Sequence, residues 1–209
     1  MNTLCSRTTT RLGAPVELSR LLVAGYLPMV VIWLVAHRLI STRVARGLRA
    51  ARSSRSRWDG WVPLVPHAAY VYFSGFVLAN FAFIPMIASS STVSIAVGYL
   101  AQFAVSLAFY AFYPVRTERP ALDLTVRSAR LLHEFHRLAG PYNAFPSMHA
   151  SFGLYSGLWT ATWAPVWIGP AVVTWCLAVV ASTVLTKEHT VIDVLGGSVL
   201  GIGAFLLVR

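Results

Sequence analysis

The pair of side chains best suited to chemistry lies in the stretch TKEHTVIDVLGG, residues 186–197. His189 and Asp193 are four positions apart, so on one helix they share a face and their side chains can touch. A carboxylate there can accept a proton from one imidazole nitrogen, which leaves the other nitrogen as a nucleophile or base. The pair is also compatible with a simple hydrogen bond at a helix end. The Gly196-Gly197 pair that follows fits a close helix crossing.

A second candidate, His149, lies in the stretch YNAFPSMHASFG, residues 142–153. Pro146 suits a helix start, and the hydroxyl of Ser147 can cap that helix. Free backbone N–H groups at such a start, together with the positive end of the helix dipole, make an anion site. His149 would lie in the first turn, either as an acid–base group or as a buried hydrogen-bonding residue between helices. We predict that His149 and His189 lie at the same membrane level and share one site.

Two arginines follow a third apolar run, in the stretch YPVRTERPALD, residues 113–123. Arg116 and Arg119 offer planar forks of donors that match phosphate oxygens, and Pro120 stiffens the chain after them. Arginines just outside an apolar helix also serve as topology signals or lipid anchors. Their predicted convergence with the histidines is what favours phosphate binding.

The elements that must position these residues are membrane helices. The chain is 56% hydrophobic and 11% charged, with a mean hydropathy of +0.64. No Lys, Arg, Asp or Glu occurs in residues 60–115 or 138–186, and each gap is long enough for two crossings of ~20 residues. Apolar runs between proline, glycine and charge predict six helical spans, near residues 20–38, 63–87, 92–113, 147–164, 167–186 and 190–208. We therefore predict an all-α, six-transmembrane-helix bundle with the active site at one membrane face.

Short connections near residues 88–91 and 164–165 are predicted to form the tight ends of helical hairpins. The opposite side then collects three polar segments, at residues 38–57, 114–146 and 186–189. We predict that the candidate site lies where these three segments meet.

Positive charge dominates the chain, because 16 arginines and one lysine stand against seven acidic residues, for a net charge of +10. Seven arginines lie in residues 38–57, beside a predicted span, which favours anionic lipid headgroups as their partner; we find no nucleic-acid-binding module. The positive-inside rule favours a cytoplasmic site in a multi-pass cell-membrane protein. We predict a tail, first helix and Arg-rich loop over residues 1–59, and a catalytic core over residues 60–209.

In their order along the chain, the motifs RTERP, PSMH and HTVID resemble those of the type 2 phosphatidic acid phosphatase superfamily. That superfamily is a six-span membrane fold that also includes soluble vanadium haloperoxidases. The likeness covers residues from about 60 to 208, and PSMHAS with HTVID looks closest to the branch of inositol phosphorylceramide synthase.

The resemblance implies a role for each matching residue. Arg119 and Ser147 would bind phosphate. His149 would be the general acid, and His189 would be the nucleophile with Asp193 as its orienting partner.

Three positions depart from the family pattern. Phe112 stands in place of the first-motif lysine, Met148 in place of the second-motif glycine, and Thr183 in place of the third-motif arginine. Two cationic phosphate ligands are therefore missing from their expected places. The nearest basic replacements are Arg116 and Lys187, the only lysine of the chain.

The resemblance implies an integral membrane lipid phosphatase that hydrolyses a lipid phosphomonoester or pyrophosphate through a phosphohistidine, with neither metal nor cofactor. One alternative is a phospho-headgroup transferase, in which an alcohol replaces water. A second takes His149, His189 and Asp193 as a metal site of two imidazoles and one carboxylate. A third is a non-catalytic lipid-binding or transport protein. Expected partners are a lipid phosphate substrate and membrane lipids, and the oligomeric state stays open.

Overall fold

The computed structural model describes residues 27–47, 50–75 and 92–209. These residues are mostly helical. In chain order the elements are α1 (Leu27–Ala45), β1 (Arg52–Ser53), a 3₁₀ helix (Arg57–Gly60), α2 (described over residues 68–75), α3 (Thr92–Phe112), β2 (Val115–Arg116), α4 (Arg127–Ala139), α5 (Met148–Trp163), α6 (Ile168–Leu185) and α7 (Val191–Val208).

Three helices within the described ranges are long and apolar enough to cross a membrane. They are Val93–Phe112 within α3, α6 and α7, and they match three of the predicted spans. Helix α5 has 16 residues, fewer than the ~20 that one crossing needs. The predicted span at residues 63–87 and the predicted connection at residues 88–91 lie partly or wholly outside the described residues. The six-span bundle therefore stays a prediction.

Helix α5 lies at the centre of the packed helices, in contact with α6 on one side and α7 on another, while α3 packs against α7. Tyr99 of α3, Tyr155 of α5 and Phe205 of α7 belong to one buried apolar cluster. Tyr99 and Tyr155 meet edge to face with ring centroids 4.8 Å apart. This packing fixes α5 and α7, the two helices whose N-terminal ends carry the candidate histidines.

Two glycines, Gly197 and Gly201, allow α7 to approach the backbone of α5. A Cβ added at Gly197 would lie 2.2 Å from the carbonyl oxygen of Ser147, and one at Gly201 would lie 2.3 Å from that of Ser151. Both neighbours are backbone atoms, so neither can move aside as a side chain would. The close crossing predicted at Gly196-Gly197 is confirmed, and it brings Ser147 and His149 beside the start of α7.

Residues 52–65, which we call the cap segment, fold onto the ends of the helices at the site. Strand β1 pairs in parallel with β2, with Arg52 opposite Val115. The N–H of Val65 donates to the carbonyl of Leu185 at the end of α6, at 2.9 Å. Part of the predicted Arg-rich loop is therefore ordered against the residues predicted to form the catalytic core.

Candidate active site

A tight turn at the end of α6 presents His189. The N–H groups of Glu188 and His189 both donate to the carbonyl of Thr183 at 3.1 Å, and the N–H of Lys187 donates to that of Val184 at 3.1 Å. Lys187 has φ +58°, the left-handed conformation that glycine usually takes at a helix C-terminus. The turn therefore reverses the chain within a few residues and brings His189 next to the start of α7.

Helix α7 begins with a reciprocal cap that uses Asp193. The N–H of Thr190 donates to Oδ2 of Asp193 at 2.8 Å, and the N–H of Asp193 donates to the hydroxyl of Thr190 at 3.3 Å. Asp59 of the cap segment accepts from the N–H of Val191 at 2.8 Å. Two carboxylates thus satisfy the N–H groups at the positive end of this helix.

His149 and His189 face each other through one hydrogen bond, with Nδ1 of His149 3.2 Å from Nε2 of His189. Nδ1 of His189 lies 3.0 Å from the carbonyl oxygen of Ala144. A carbonyl can only accept, so Nδ1 of His189 carries the proton and Nε2 keeps its lone pair. By the same rule Nδ1 of His149 donates to His189, and the hydroxyl of Tyr72 donates to Nε2 of His149 across 2.9 Å.

The carbonyl of Ala144 takes the place predicted for Asp193 beside His189. Oδ2 of Asp193 lies 4.0 Å from Nδ1 of His189, beyond hydrogen-bond distance. Asp193 is fully buried and is used in the cap of α7. The structure therefore brings Asp193 next to His189, but it fixes the tautomer through a backbone carbonyl.

Burial makes His189 a neutral imidazole at neutral pH. Desolvation lowers its pKa to about 4, against the opposing effects of the Glu188 charge and the hydrogen bond to Ala144. A neutral imidazole with a lone pair on Nε2 is the form that can attack an electrophile.

His189 opens into a polar cavity of about 360 Å³. The lining includes four basic side chains, those of Arg55, Arg116, Arg119 and Lys187, and two carboxylates, those of Asp59 and Glu118. Positive charge therefore exceeds negative charge, which favours an anionic ligand. The lining residues come from all three polar segments that the sequence places at one side of the membrane. They also come from both predicted parts of the chain, residues 1–59 and residues 60–209.

Arg119 is held on three sides at the edge of this cavity. Its Nη1 donates to the carbonyl of His136 at 2.5 Å, and its Nη2 donates to that of Gly140 at 2.6 Å. Nη2 also lies 3.0 Å from Oε2 of Glu188. Within the described part of the chain, Nε of Arg119 has no hydrogen-bond partner. Nε is itself buried, so Arg119 offers the cavity a positive charge in a fixed position.

The other three predicted phosphate ligands differ in their burial and in whether they line the cavity. Arg116 is exposed and lines the cavity. Lys187 lines it too, but its ammonium donates to the carbonyl of Val62 at 2.5 Å. Ser147 is fully buried, caps α5 by accepting from the N–H of Ala150 at 3.3 Å, and is not part of the lining. The phosphate-binding roles stay predictions.

The positions that depart from the family pattern do not contribute side chains to this cavity. Phe112 is 76% exposed, and Thr183 is fully buried, with its carbonyl closing the turn before His189. Basic groups at Arg55, Arg116 and Lys187 occupy the cavity instead.

The two imidazoles and the carboxylate do not present lone pairs to one point, as a metal site of these residues would need. Nε2 of His189 is directed at His149, whereas Asp193 lies beside the opposite nitrogen, Nδ1. Within the described ranges no group of three or more His, Cys, Asp and Glu side chains could hold a metal ion.

Comparison of the chain with protein-family models, curated protein sequences and solved structures finds no match. The likeness to the phosphatase superfamily therefore rests on the three motifs, and the activity has to be argued from the chemistry of the site.

Proposed function

We propose that this chain is an integral membrane lipid phosphatase that releases phosphate from a lipid phosphomonoester or pyrophosphate through a phosphohistidine at His189. The observation that carries the proposal is the hydrogen-bonded pair His149–His189 at the edge of a cavity with four basic side chains. Phosphoryl transfer through a phosphohistidine needs a neutral imidazole as nucleophile, an acid–base group beside it and cations around the phosphate.

In the first step a lipid phosphate monoanion brings a proton, which His149 takes up. The hydroxyl of Tyr72 then turns to accept the Nε2–H of the imidazolium, because a hydroxyl can donate or accept. Nε2 of His189 attacks phosphorus, so that an N–P bond forms as the P–O bond to the lipid breaks. His149 gives its Nδ1 proton to the departing oxygen, which leaves as the lipid alcohol.

In the second step water attacks the phosphohistidine while Nδ1 of His149 takes one of its protons. The N–P bond breaks, phosphate takes one proton back from His149 and leaves as the monoanion, and Nε2 of His189 regains its lone pair. Arg119, Arg116 and Lys187 stabilise the charge that builds on the equatorial oxygens during both steps. With an alcohol in place of water, the same steps describe a headgroup transferase.

The test is an assay of phosphate release by the purified protein from a lipid phosphomonoester and a lipid pyrophosphate, with a chelator present. His149→Ala is expected to lower the rate by about 10² to 10⁴-fold, because it removes a general acid and base. The matched control is His133→Ala, on the exposed face of α4, which is expected to keep the wild-type rate. Full activity of His149→Ala, or loss of wild-type activity with chelator, would contradict the proposal.

We also propose that the cavity faces the cytoplasm, because the arginines near it outnumber those at the opposite end. Single cysteines at Glu134 on α4 and at Val166 between α5 and α6 report opposite sides, since both positions are exposed. In a variant without the two native cysteines, an impermeant reagent on intact cells is expected to label position 166 alone. Labelling at position 134 alone would reverse the topology.

A further inference from the structure

Glu188 is a buried carboxylate directly before the proposed nucleophile, and it has no role in the proposed mechanism. Its side chain is only 5% exposed, and it contacts two basic side chains. Oε2 lies 3.0 Å from Nη2 of Arg119, and Oε1 lies 2.9 Å from Nε2 of His136 on α4. A buried charge is costly unless it is paired, so this trio is a built feature of the fold.

The carboxylate is ionised in this setting. Burial by itself raises the pKa of Glu188, but the hydrogen bond from His136 and the positive charge of Arg119 hold it below its ordinary value. Glu188 therefore presents a negative charge to Arg119 at neutral pH.

The contacts of Arg119 define its orientation. The carbonyls of His136 and Gly140, at the C-terminal end of α4, accept from Nη1 and Nη2, and Glu188 accepts from Nη2. Because the guanidinium is planar, fixing these two nitrogens also fixes the direction of Nε–H. That donor is buried and has no partner in the described ranges, while Arg119 lines the cavity with the rest of its side chain held in place.

We propose that Glu188 is a positioning residue that holds the guanidinium of Arg119 as a fixed cation beside the cavity, with His136 of α4 as the second contact of the carboxylate. The inference rests on the proposed function, because the orientation of Arg119 matters only if the cavity binds a phosphate group.

Replacing Glu188 is expected to weaken catalysis without weakening the binding of an anion. This combination distinguishes a positioning role from a purely structural one. Glu188→Gln removes the ion pair that orients Arg119, so the transition state loses a fixed cation and kcat falls by about 10 to 100-fold. The same change removes a negative charge near the cavity, so inorganic phosphate is expected to inhibit the variant at least as strongly as the wild type. If Glu188 only stabilised the fold, Glu188→Gln would lower the amount of active protein and leave kcat and the inhibition constant of phosphate unchanged.

The matched control is Glu134→Gln on α4, because Glu134 is an exposed carboxylate with an exposed partner, Arg137. We expect wild-type kcat and phosphate inhibition for this control. An unchanged kcat in Glu188→Gln, or a fall in kcat together with weaker phosphate inhibition, would overturn the inference.

A double-mutant cycle with Arg119→Lys tests whether Glu188 acts through Arg119. An ammonium cannot keep the fork of contacts that the guanidinium makes, so Arg119→Lys alone should lower kcat. If the two residues act as a unit, adding Glu188→Gln to this variant lowers kcat by much less than it does in the wild type. If each substitution lowers kcat by the same factor in the double mutant as it does alone, the positioning role is refuted.

The outcomes separate this inference from the proposed function. If His149→Ala loses activity while Glu188→Gln keeps its kcat, the inference fails and the phosphatase proposal stands. If the wild type releases no phosphate from any lipid phosphate, both fail.

Discussion

Replacement of His189 by alanine is expected to reduce phosphate release by about 10⁴-fold or more, because it removes the nucleophile that the proposed mechanism requires. His189 is the only histidine of the described chain that lines the cavity. Its Nε2 carries a lone pair, which accepts from Nδ1 of His149 in this structure and can attack once that hydrogen bond opens. His149 does not line the cavity, so it is not placed to attack a phosphate bound there. The measurement is the single-turnover rate with a lipid phosphate.

His67→Ala serves as the control for this variant, since His67 is exposed at the start of α2 and is not part of the cavity lining. It should keep the wild-type rate. His189→Gln, which retains a polar side chain of similar size, should be as inactive as His189→Ala. If either substitution at His189 keeps a rate within about tenfold of the wild type, His189 is not the nucleophile.

Gly197→Ala is expected to have the largest effect on stability. The new Cβ would lie 2.2 Å from the carbonyl oxygen of Ser147, so α5 and α7 must move apart. Overpacking of this kind costs about 1–3 kcal/mol. Because α5 carries His149 and His189 lies just before α7, the shift also separates the imidazoles and is expected to lower kcat by up to about 10²-fold.

Gly203 offers a matched control on the same helix. A Cβ added there meets nothing within 4 Å, so Gly203→Ala is expected to leave kcat unchanged and to be neutral or stabilising by up to about 1 kcal/mol. The measurement is the thermal midpoint of each variant in detergent, together with its kcat. Equal midpoints for Gly197→Ala and Gly203→Ala would show that the close crossing of α5 and α7 is not required.

The sequence alone was sufficient to predict that His149 and His189 lie close together. Their local patterns, a proline and a serine before His149 and a short polar turn before His189, mark two helix starts, and both helix starts exist. The close crossing was also predictable, because paired glycines in an apolar helix have few other uses. Three of the predicted spans could be placed because long uncharged runs define helices in a membrane.

Asp193 shows where sequence spacing left two interpretations. The four-residue spacing from His189 suggested a hydrogen bond to the imidazole, but Thr190 and Asp193 also match the pattern of a capping box. In the structure the carboxylate caps the helix, and the carbonyl of Ala144 accepts from His189. The position of that carbonyl depends on the path of the chain before α5, which no local pattern specifies.

Residues that depend on long-range pairing gave no sequence signal. Glu188 could be given no role from its neighbours, because its partners Arg119 and His136 lie 69 and 52 positions away. Arg55 belonged to an arginine-rich run that suggested only lipid headgroups, and Asp59 follows that run by two positions. The two-residue ladder between β1 and β2 brings this part of the chain to the cavity. A pair of strands so short leaves no periodicity to detect.

The central claim, a covalent phosphohistidine at His189, is tested most directly by trapping it. The wild type is mixed with a lipid phosphate labelled in its phosphoryl group and quenched within one turnover under alkaline conditions, which preserve an N–P bond. The labelled peptide is then identified by mass spectrometry. The proposal predicts label on His189 in the wild type, at a higher level in His149→Ala if loss of the general base slows hydrolysis more than phosphorylation, and none in His189→Ala. Label on His149, or turnover without any labelled histidine, would contradict it.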